Sequence, residues 1–406
     1  MRQGVVVLCG LLAVSACTAN GPAVSHASPS PEASPSPTPA PSPSPTPTPT
    51  PSPSPSPSAP ATPLAVPAWA ALHANCPGAA AAQEAVLRLQ GQNNVIVADV
   101  TDAKNPHNIC SISGDSRLSP ELATQTMISW YATQNPGSAG NSVIAVLDLT
   151  TGTSTVAASW QGGSTPLDGL HAWSPDRGFL AYVTADATSV NLHLLSGGGD
   201  RVVATYGAVP ARGGNPFEDD AYLAFSPDGA FFAFVQTWAS SGDELQIRHT
   251  TDGSIAYSLP TGTMATWGST GSRLYFRQPK SGVIEVWDSA AGVSQALGQP
   301  LAWIQPRADA GDDNLAFTVR DSSGAPSVWL YGHNGRSGGK LPNARSSPAW
   351  LNATTVFYIE EARCTSNCQI GWLPDGKTFT FDLGAQAETA SKISAVLGTW
   401  PRPGQT

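Results

Sequence analysis

The sequence predicts an all-β protein, a β-propeller preceded by a disordered spacer rich in Pro, Ser and Thr. A short motif recurs at intervals of about 46 residues, which is the spacing of propeller blades. Further short apolar stretches, separated by turn residues, follow most copies of the motif. The spacer is indicated by the 37 prolines of the 406-residue chain, which are concentrated between Pro29 and Pro67.

The motif is an apolar stretch that ends in an aromatic residue, then a Ser-Pro-Asp-Gly-like turn, then a second apolar strand. Its clearest copies span residues 171–183 and 223–235. Proline presets φ at the second position of such a turn, Asp hydrogen-bonds the turn backbone, and Gly tolerates a positive φ. With the degenerate copies included, the motif is anchored at positions 118, 173, 225, 267, 303 and 350.

The number of strands separates the propeller from a β-sandwich, the other all-β fold considered. Second hairpins follow the anchors, as in residues 143–152, 245–253 and 284–292. Six or seven units of four strands give well over twenty strands, whereas a sandwich needs about seven to nine. We therefore interpret the tryptophans at positions 173, 267, 303 and 350 as core anchors between blades, not as a carbohydrate platform.

These motifs resemble the WD40-like (PD40) repeat of TolB-type β-propellers, in which an aromatic residue is followed by Ser-Pro-Asp-Gly and a strand containing Phe or Tyr. The resemblance covers roughly residues 115–385. Residues 347–350 (Ser-Pro-Ala-Trp) also look like the lead-in to the signature, although Leu351 and Asn352 then replace Ser-Pro. The resemblance implies the architecture and says little about a substrate.

The part of the chain from Ala68 to Thr406 is long enough for about seven units of this spacing. We therefore expect seven blades, and a six-bladed ring with an N-terminal decoration is the alternative. The seventh blade would combine the N-terminal hairpin of residues 95–112 with C-terminal residues near Ile393 to Trp400.

Residues 1–16 have the features of a bacterial lipoprotein signal peptide. Arg2 supplies one positive charge, and residues 5–14 are almost wholly apolar. A stretch of that length is too short to span about 30 Å of hydrocarbon as a helix. Residues 14–17 (Val-Ser-Ala-Cys) resemble the bacterial lipobox, which implies that Cys17 carries a diacylglyceryl group and becomes the mature N-terminus. A plain signal peptide with an incidental cysteine is the alternative.

Residues 17–67 form the predicted linker between the lipidated cysteine and the propeller domain, residues 68–406. From position 18 onward the linker has a single charged side chain, Glu32, and it runs largely as Ser-Pro and Thr-Pro dipeptides. Such a sequence has few apolar side chains to bury and favours polyproline II. It predicts a stiff spacer that holds an extracytoplasmic domain away from the cell membrane. A ligand for proline-binding modules is the competing interpretation.

Outside the signal peptide, four cysteines remain once Cys17 is assigned to lipid: Cys76, Cys110, Cys364 and Cys368. An even number in an oxidising compartment favours disulfides. We expect Cys76 to pair with Cys110, and Cys364 with Cys368 across a three-residue loop. A zinc site made by all four is the alternative, but no His stands at ligand spacing from the second pair.

The charge distribution argues against a nucleic-acid partner. The chain has 20 Lys and Arg against 29 Asp and Glu, a net charge of −9, and no block of basic residues. The Gly-x-Ser-x-Gly string at residues 335–339 has no His C-terminal to it that could act as the base of a hydrolase. We expect a monomer without a resident cofactor, although a divalent cation remains a candidate.

Polar residues cluster before two of the predicted inner strands: Asp168 and His171, and Glu218, Asp219 and Asp220. Inner strands surround the central channel of a propeller, so these groups would converge on one mouth of the channel. Carboxylates and one His could bind a divalent cation or a cationic ligand there. The alternative is that they are solvated loop charges.

Two functions follow from these observations. The first is a lipid-anchored, non-enzymatic module that binds a protein, peptide or envelope polymer through one face of the propeller. The second is a metal-assisted hydrolase or lyase that uses the acidic mouth, with Asp168, His171, Asp219 and Asp220 as candidate ligands.

Overall fold

A computed structural model describes the following residues: 64–76, 81–89, 95–102, 107–113, 117–118, 127–134, 140–162, 167–186, 188–207, 222–236, 244–259, 263–268, 270–278, 281–297, 309–311, 314–320, 326–332, 337–341, 345–352, 355–360, 368–372, 378–381 and 393–400. All described residues belong to one compact unit, Ala61–Thr406.

The described residues are almost entirely β-strands. The N-terminal strands are β1 (Leu64–Ala65), β2 (His73–Asn75), β3 (Glu84–Leu89), β4 (Val95–Asp99) and β5 (His107–Ser113), with a 3-10 helix at Ala68–Ala70 between β1 and β2. The next strands are β6 (Arg117–Leu118), β7 (Met127–Thr133), β8 (Gly140–Asp148), β9 (Thr153–Gly162), β10 (His171–Trp173), β11 (Phe179–Ala185), β12 (Ser189–Ser196) and β13 (Gly199–Gly207).

The middle of the chain contributes β14 (Tyr222–Phe225), β15 (Phe231–Gln236), β16 (Glu244–His249), β17 (Ile255–Leu259), β18 (Thr263–Trp267), β19 (Arg273–Arg277), β20 (Ile284–Asp288) and β21 (Val293–Ala296). The last strands are β22 (Asp309–Gly311), β23 (Asn314–Arg320), β24 (Pro326–Gly332), β25 (Ser337–Lys340), β26 (Arg345–Asn352), β27 (Thr355–Glu360), β28 (Cys368–Trp372), β29 (Thr378–Phe381) and β30 (Ile393–Trp400). In the described ranges nothing helical has the length or hydrophobicity of a bilayer span.

Six blades are each built around four consecutive antiparallel strands. They are the first blade (β6–β9), the second (β10–β13), the third (β14–β17), the fourth (β18–β21), the fifth (β22–β25) and the sixth (β26–β29). One further sheet, here called the closing sheet, has the order β2-β5-β4-β3-β30 and so joins both ends of the folded unit.

The expectation of seven blades is wrong, because the described strands form six blades, the number given above as the alternative. The repeats give six blades of consecutive strands, and the closing sheet is a composite. The N-terminal hairpin of residues 95–112 and the C-terminal residues 393–400 do share this sheet, but β3 lies between them. Residues 84–89 carry no anchor motif, so the motif search gave no reason to place a strand there.

Adjacent sheets contact each other around the ring. The inner strands of consecutive blades meet from β10 to β14, β14 to β18, β18 to β22 and β22 to β26, and β26 also meets β30 of the closing sheet. The second blade meets the first through β11 and β9. A buried cluster that includes Val97 and Trp130 joins the closing sheet to the first blade. The core therefore lies between the sheets, as in a β-propeller.

The Ser-Pro-Asp turn closes the two inner strands of a blade through its own side chains. In the second blade, Ser174 Oγ donates to Asp176 Oδ1 at 2.6 Å and accepts from the backbone N–H of Phe179 at 2.9 Å. In the third blade, Ser226 makes the same pair of bonds to Asp228 and Phe231, at 2.6 and 3.0 Å. Repetition of the sequence motif thus means repetition of one hydrogen-bonded turn.

Tryptophan anchors pack where the repeats place them. Trp350 is 1% exposed and belongs to the cluster between the fifth and sixth blades, and Trp267 is 7% exposed and belongs to the cluster between the third and fourth. Trp173 is half-buried against the cluster between the first and second blades. These three confirm the core interpretation, whereas Trp303 lies outside the described residues.

Two short strands at the N-terminal end of the described residues cover the outer edges of two sheets. The strand β1 pairs antiparallel with the outer edge of β9, with Leu64 opposite Val156. The strand β2 covers the outer edge of β5 in the same way, with Asn75 opposite Ser111.

The disulfide between Cys76 and Cys110 is present and confirms the first expected pairing. It fastens the segment after β2 to β5, where an N-terminal segment would otherwise fray. The second expected pairing stays a prediction, because Cys364 and the side chain of Cys368 lie outside the described residues.

Candidate functional site

The structure places Asp168 and His171 together, at the entry of the innermost strand of the second blade. Asp168 lies in the segment before β10, and His171 is the first residue of β10. Both are buried, at 1% and 4% exposure. Glu218, Asp219 and Asp220 lie outside the described residues, so their position relative to this pair stays a prediction.

Asp168 accepts four hydrogen bonds from two blades. Its Oδ2 accepts from Tyr131 Oη at 2.7 Å and from Ser142 Oγ at 3.4 Å. Its Oδ1 accepts from Trp160 Nε1 at 3.0 Å and from the backbone N–H of Ala185 at 2.9 Å. The donors stand on β7, β8 and β9 of the first blade and on β11 of the second, so one carboxylate joins the two blades.

Tyr131 is a neutral donor in this arrangement. Burial raises the pKa of its hydroxyl above the ordinary value, and the neighbouring Asp168 charge raises the pKa further. The Tyr131 ring also stacks on Trp160, with ring centroids 5.8 Å apart. Both donors are therefore held in place by packing as well as by the carboxylate.

His171 is held as a neutral imidazole in one tautomer. Its Nδ1 lies 2.8 Å from the carbonyl oxygen of Gly169, so Nδ1 carries the proton and donates. Its Nε2 then accepts from Ser129 Oγ at 2.6 Å, and Ser129 in turn accepts from Trp173 Nε1 at 3.0 Å. Burial lowers the pKa of His171 to about 4, so the ring is uncharged at neutral pH.

An aromatic row extends this network toward the outer strand of the second blade. Trp160 packs on Tyr182 at 5.4 Å, and Tyr182 stacks on His193 at 4.6 Å. Tyr182 Oη donates to Asp200 Oδ2 at 2.7 Å, and His193 Nδ1 lies 3.1 Å from the same oxygen. The contact between the first two blades therefore combines apolar packing with the Tyr131–Asp168 pair, and a second tyrosine–carboxylate pair, Tyr182 with Asp200, lies within the second blade.

The cluster around Asp168 fastens two blades together, and its polar groups are directed at one another. Every oxygen of the Asp168 carboxylate and both ring nitrogens of His171 have protein partners. Across the described residues there is no group of three His, Cys, Asp or Glu side chains placed to hold a metal ion. A role in substrate or metal chemistry would require these bonds to be exchanged for others.

Sequence reasoning found the carboxylate and the imidazole but missed their partners. Tyr131 and Trp160 stand in apolar strand sequences and look like ordinary core residues. Ser129 and Ser142 lie in neighbouring strands of the first blade and are fully buried. A serine within an apolar strand sequence was the one signal that could have indicated the network, because a buried hydroxyl group needs a hydrogen-bond partner.

The chain resembles several solved structures and matches no protein-family model and no curated protein. TolB from Acinetobacter baumannii is 17% identical, over 63% of this chain and 62% of that chain, with a TM-score of 0.41. The β-propeller domain of the Trilobed protease from Pyrococcus furiosus is 10% identical, over 65% of this chain and 82% of that domain, with a TM-score of 0.47.

A protein from Lactobacillus plantarum is 13% identical, over 78% of this chain and 97% of that chain, with a TM-score of 0.48. This chain thus covers less than two thirds of the TolB chain. The fold is a β-propeller, which the sheet order of this chain shows by itself. At these identities and TM-scores, the matches assign no activity, ligand or partner to this chain.

Gly169 offers a test of the packing of this propeller around Asp168. Its φ is +83°, and a Cβ at this position would collide with the ring of Tyr131. We expect Gly169→Ala to lower the free energy of unfolding by about 2–4 kcal/mol, from backbone strain and overpacking. Gly152 is the matched control, because its φ is +67° and a Cβ there meets open space.

Urea unfolding of both variants would separate the two effects. Gly152→Ala reports the strain of a positive φ alone, about 1–2 kcal/mol. Equal losses in the two variants would contradict the packing that we describe around Tyr131.

Proposed function

We propose that this chain is a lipid-anchored, extracytoplasmic β-propeller that acts as a binding or scaffold module for a protein, a peptide or an envelope polymer. A diacylglyceryl group on Cys17 would hold it at the cell membrane, and residues 18–67 would space the propeller from that surface. The ligand would contact the loops on one face of the ring.

The main support for the proposal is the hydrogen bonding of Asp168 and His171. Among the described residues, Asp168 and His171 are the ones that the sequence predicts as ligands of a metal ion or a cationic ligand. In the structure, their hydrogen bonds are made to other groups of the protein. A site whose polar groups rigidify the contact between two blades suits a scaffold that presents loops. This favours binding over a reaction at that mouth.

The chemistry of the chain supports the compartment and narrows the class of partner. The Cys76–Cys110 disulfide suits an oxidising environment. A net charge of −9 without basic blocks suits a protein or polymer ligand better than a nucleic acid.

Cross-linking in intact cells tests the proposal with the full-length chain. We expect purification of the cross-linked chain to recover a specific envelope component, with cross-links confined to the loops of one face of the propeller. The matched control is a chain that ends at Pro60 and so keeps the predicted signal, Cys17 and most of the spacer. Recovery of the same components with both chains, or turnover of a metabolite by the purified propeller, would contradict a binding role.

A further inference from the structure

Glu84 lies at the point where the two ends of the folded unit meet. It is the first residue of β3, in the closing sheet. Its backbone is paired with Trp400 at the end of β30 on one side and with Asp99 at the end of β4 on the other. We call the pairing of β3 with β30 the seam, because β30 is the C-terminal strand and contacts the sixth blade.

The Glu84 side chain is buried and only half satisfied. It is 1% exposed, and its Oε1 accepts from the backbone N–H of Ala81 at 2.9 Å. Its Oε2 is buried and has no hydrogen-bond partner among the described residues. An ionised carboxylate in such a place loses its hydration without full replacement, whereas a protonated carboxyl group has much less to lose.

The charged groups around Glu84 also disfavour its ionised form. Asp99 faces it from β4, and the charge of Asp99 acts against a second negative charge. His107 on β5 lies 3.7 Å from Asp99, but its side chain is 58% exposed and so contributes little. The strand β30, which flanks Glu84 on the other side, has no ionisable side chain between Ile393 and Trp400.

We propose that Glu84 makes the closure of the ring proton-dependent. With Glu84 protonated the seam is closed, because the buried carboxyl group is neutral and its one backbone bond is kept. When Glu84 is ionised, exposure to water lowers the free energy of its carboxylate. In this proposal the carboxylate reaches water when the end of β3 separates from β30. Thr399, next to Trp400, donates to the carbonyl oxygen of Trp350 at 2.8 Å, so opening here would also loosen the sixth blade.

The pH range follows from the direction of the shift. Burial, followed by the Asp99 charge, raises the pKa of Glu84 from 4.5 to about 7. A raised carboxyl pKa means that the folded state holds its proton longer than the unfolded state does. The stability of the seam is therefore highest below pH 4.5 and declines as the pH rises to about 7. The pH outside the cytoplasm varies, which would make such a change relevant for an extracytoplasmic domain.

Hydrogen exchange of the full-length protein tests this proposal locally. We expect the amides of β30 to exchange at least about tenfold faster at pH 8 than at pH 5.5, after correction for the intrinsic rate. A local readout is needed because His171, with its lowered pKa, gives the whole domain a pH dependence of opposite sign.

Three variants complete the experiment. Glu84→Gln imitates the protonated side chain and keeps an acceptor for Ala81, so we expect β30 to stay protected at both pH values. Asp99→Asn removes the opposing charge, so the midpoint of the change should move to lower pH. Glu285→Gln, a change on β20 of the fourth blade, is the matched control and should behave as the wild type.

Two results would overturn the proposal. The first is an equal loss of β30 protection in wild type and Glu84→Gln. The second is a parallel loss in β16 of the third blade, because that would indicate a change of the whole propeller rather than of the seam.

Discussion

Replacing Asp168 by Ala is expected to lower the free energy of unfolding by about 3–5 kcal/mol. The substitution leaves the hydroxyl of Tyr131, the indole N–H of Trp160 and the backbone N–H of Ala185 without their acceptor. Each buried donor that loses its partner costs about 1–3 kcal/mol. The loss falls on the contact between the first two blades, so the ring should be weakened as a unit.

Chemical denaturation at pH 7 measures this loss. The free energy of unfolding of Asp168→Asn should lie between those of Asp168→Ala and the wild type. The amide keeps one acceptor oxygen, but its NH2 group faces another hydrogen-bond donor. Asp176→Ala is the matched control: that carboxylate lies in an exposed turn and accepts from Ser174 and Gly178, and its removal should cost about 1 kcal/mol. If Asp168→Ala is no more destabilising than Asp176→Ala, the structural role of Asp168 is refuted.

Replacing Cys17 by Ser is expected to abolish acylation of the protein. Serine has no thiol to receive the diacylglyceryl group, so the precursor should keep its signal or the domain should leave the membrane fraction. The propeller itself should fold as before, because the first described strand begins at Leu64, well beyond the anchor. Mass spectrometry of the mature N-terminus and cell fractionation measure the two effects.

The chain contains its own control for this experiment. Cys9 lies within the apolar stretch of the predicted signal peptide, so Cys9→Ser should leave both the proposed acylation and membrane association unchanged. A wild-type protein whose mature N-terminus is another residue and carries no acyl mass would show that the plain secretory signal is the correct interpretation.

Local sequence determined the blades, since each blade is made of strands that are neighbours in the chain. The turn of Ser174, Asp176 and Phe179 forms from residues five apart, so its signature is visible without any knowledge of the fold. The same holds for Ser226, Asp228 and Phe231 in the third blade. The disulfide between Cys76 and Cys110 could also be predicted from the sequence, because four cysteines allow only a few pairings.

The candidate site was predicted only in part. The sequence placed Asp168 and His171 at the start of an inner strand, and the structure has Asp168 just before β10 and His171 as its first residue. The sequence could not show whether the two side chains face a channel or the contact between blades. That depends on hydrogen bonds to Tyr131 and Trp160, which are not close to Asp168 in a local motif and look like ordinary core residues. The placement of Glu84 was equally hidden, since a single Glu in an apolar stretch gives no sign of its burial.

The sequence by itself determined the fold class and the turns of the blades, because these depend on interactions between residues close together in the chain. Only the tertiary structure decided how the ring closes and which polar groups it buries. The pairing of Glu84 with Trp400 and the bonds of Asp168 join residues far apart in sequence. Closing such long loops costs conformational entropy, and the burial of apolar surface along the whole ring offsets this cost. Neither contribution can be inferred from a local sequence pattern.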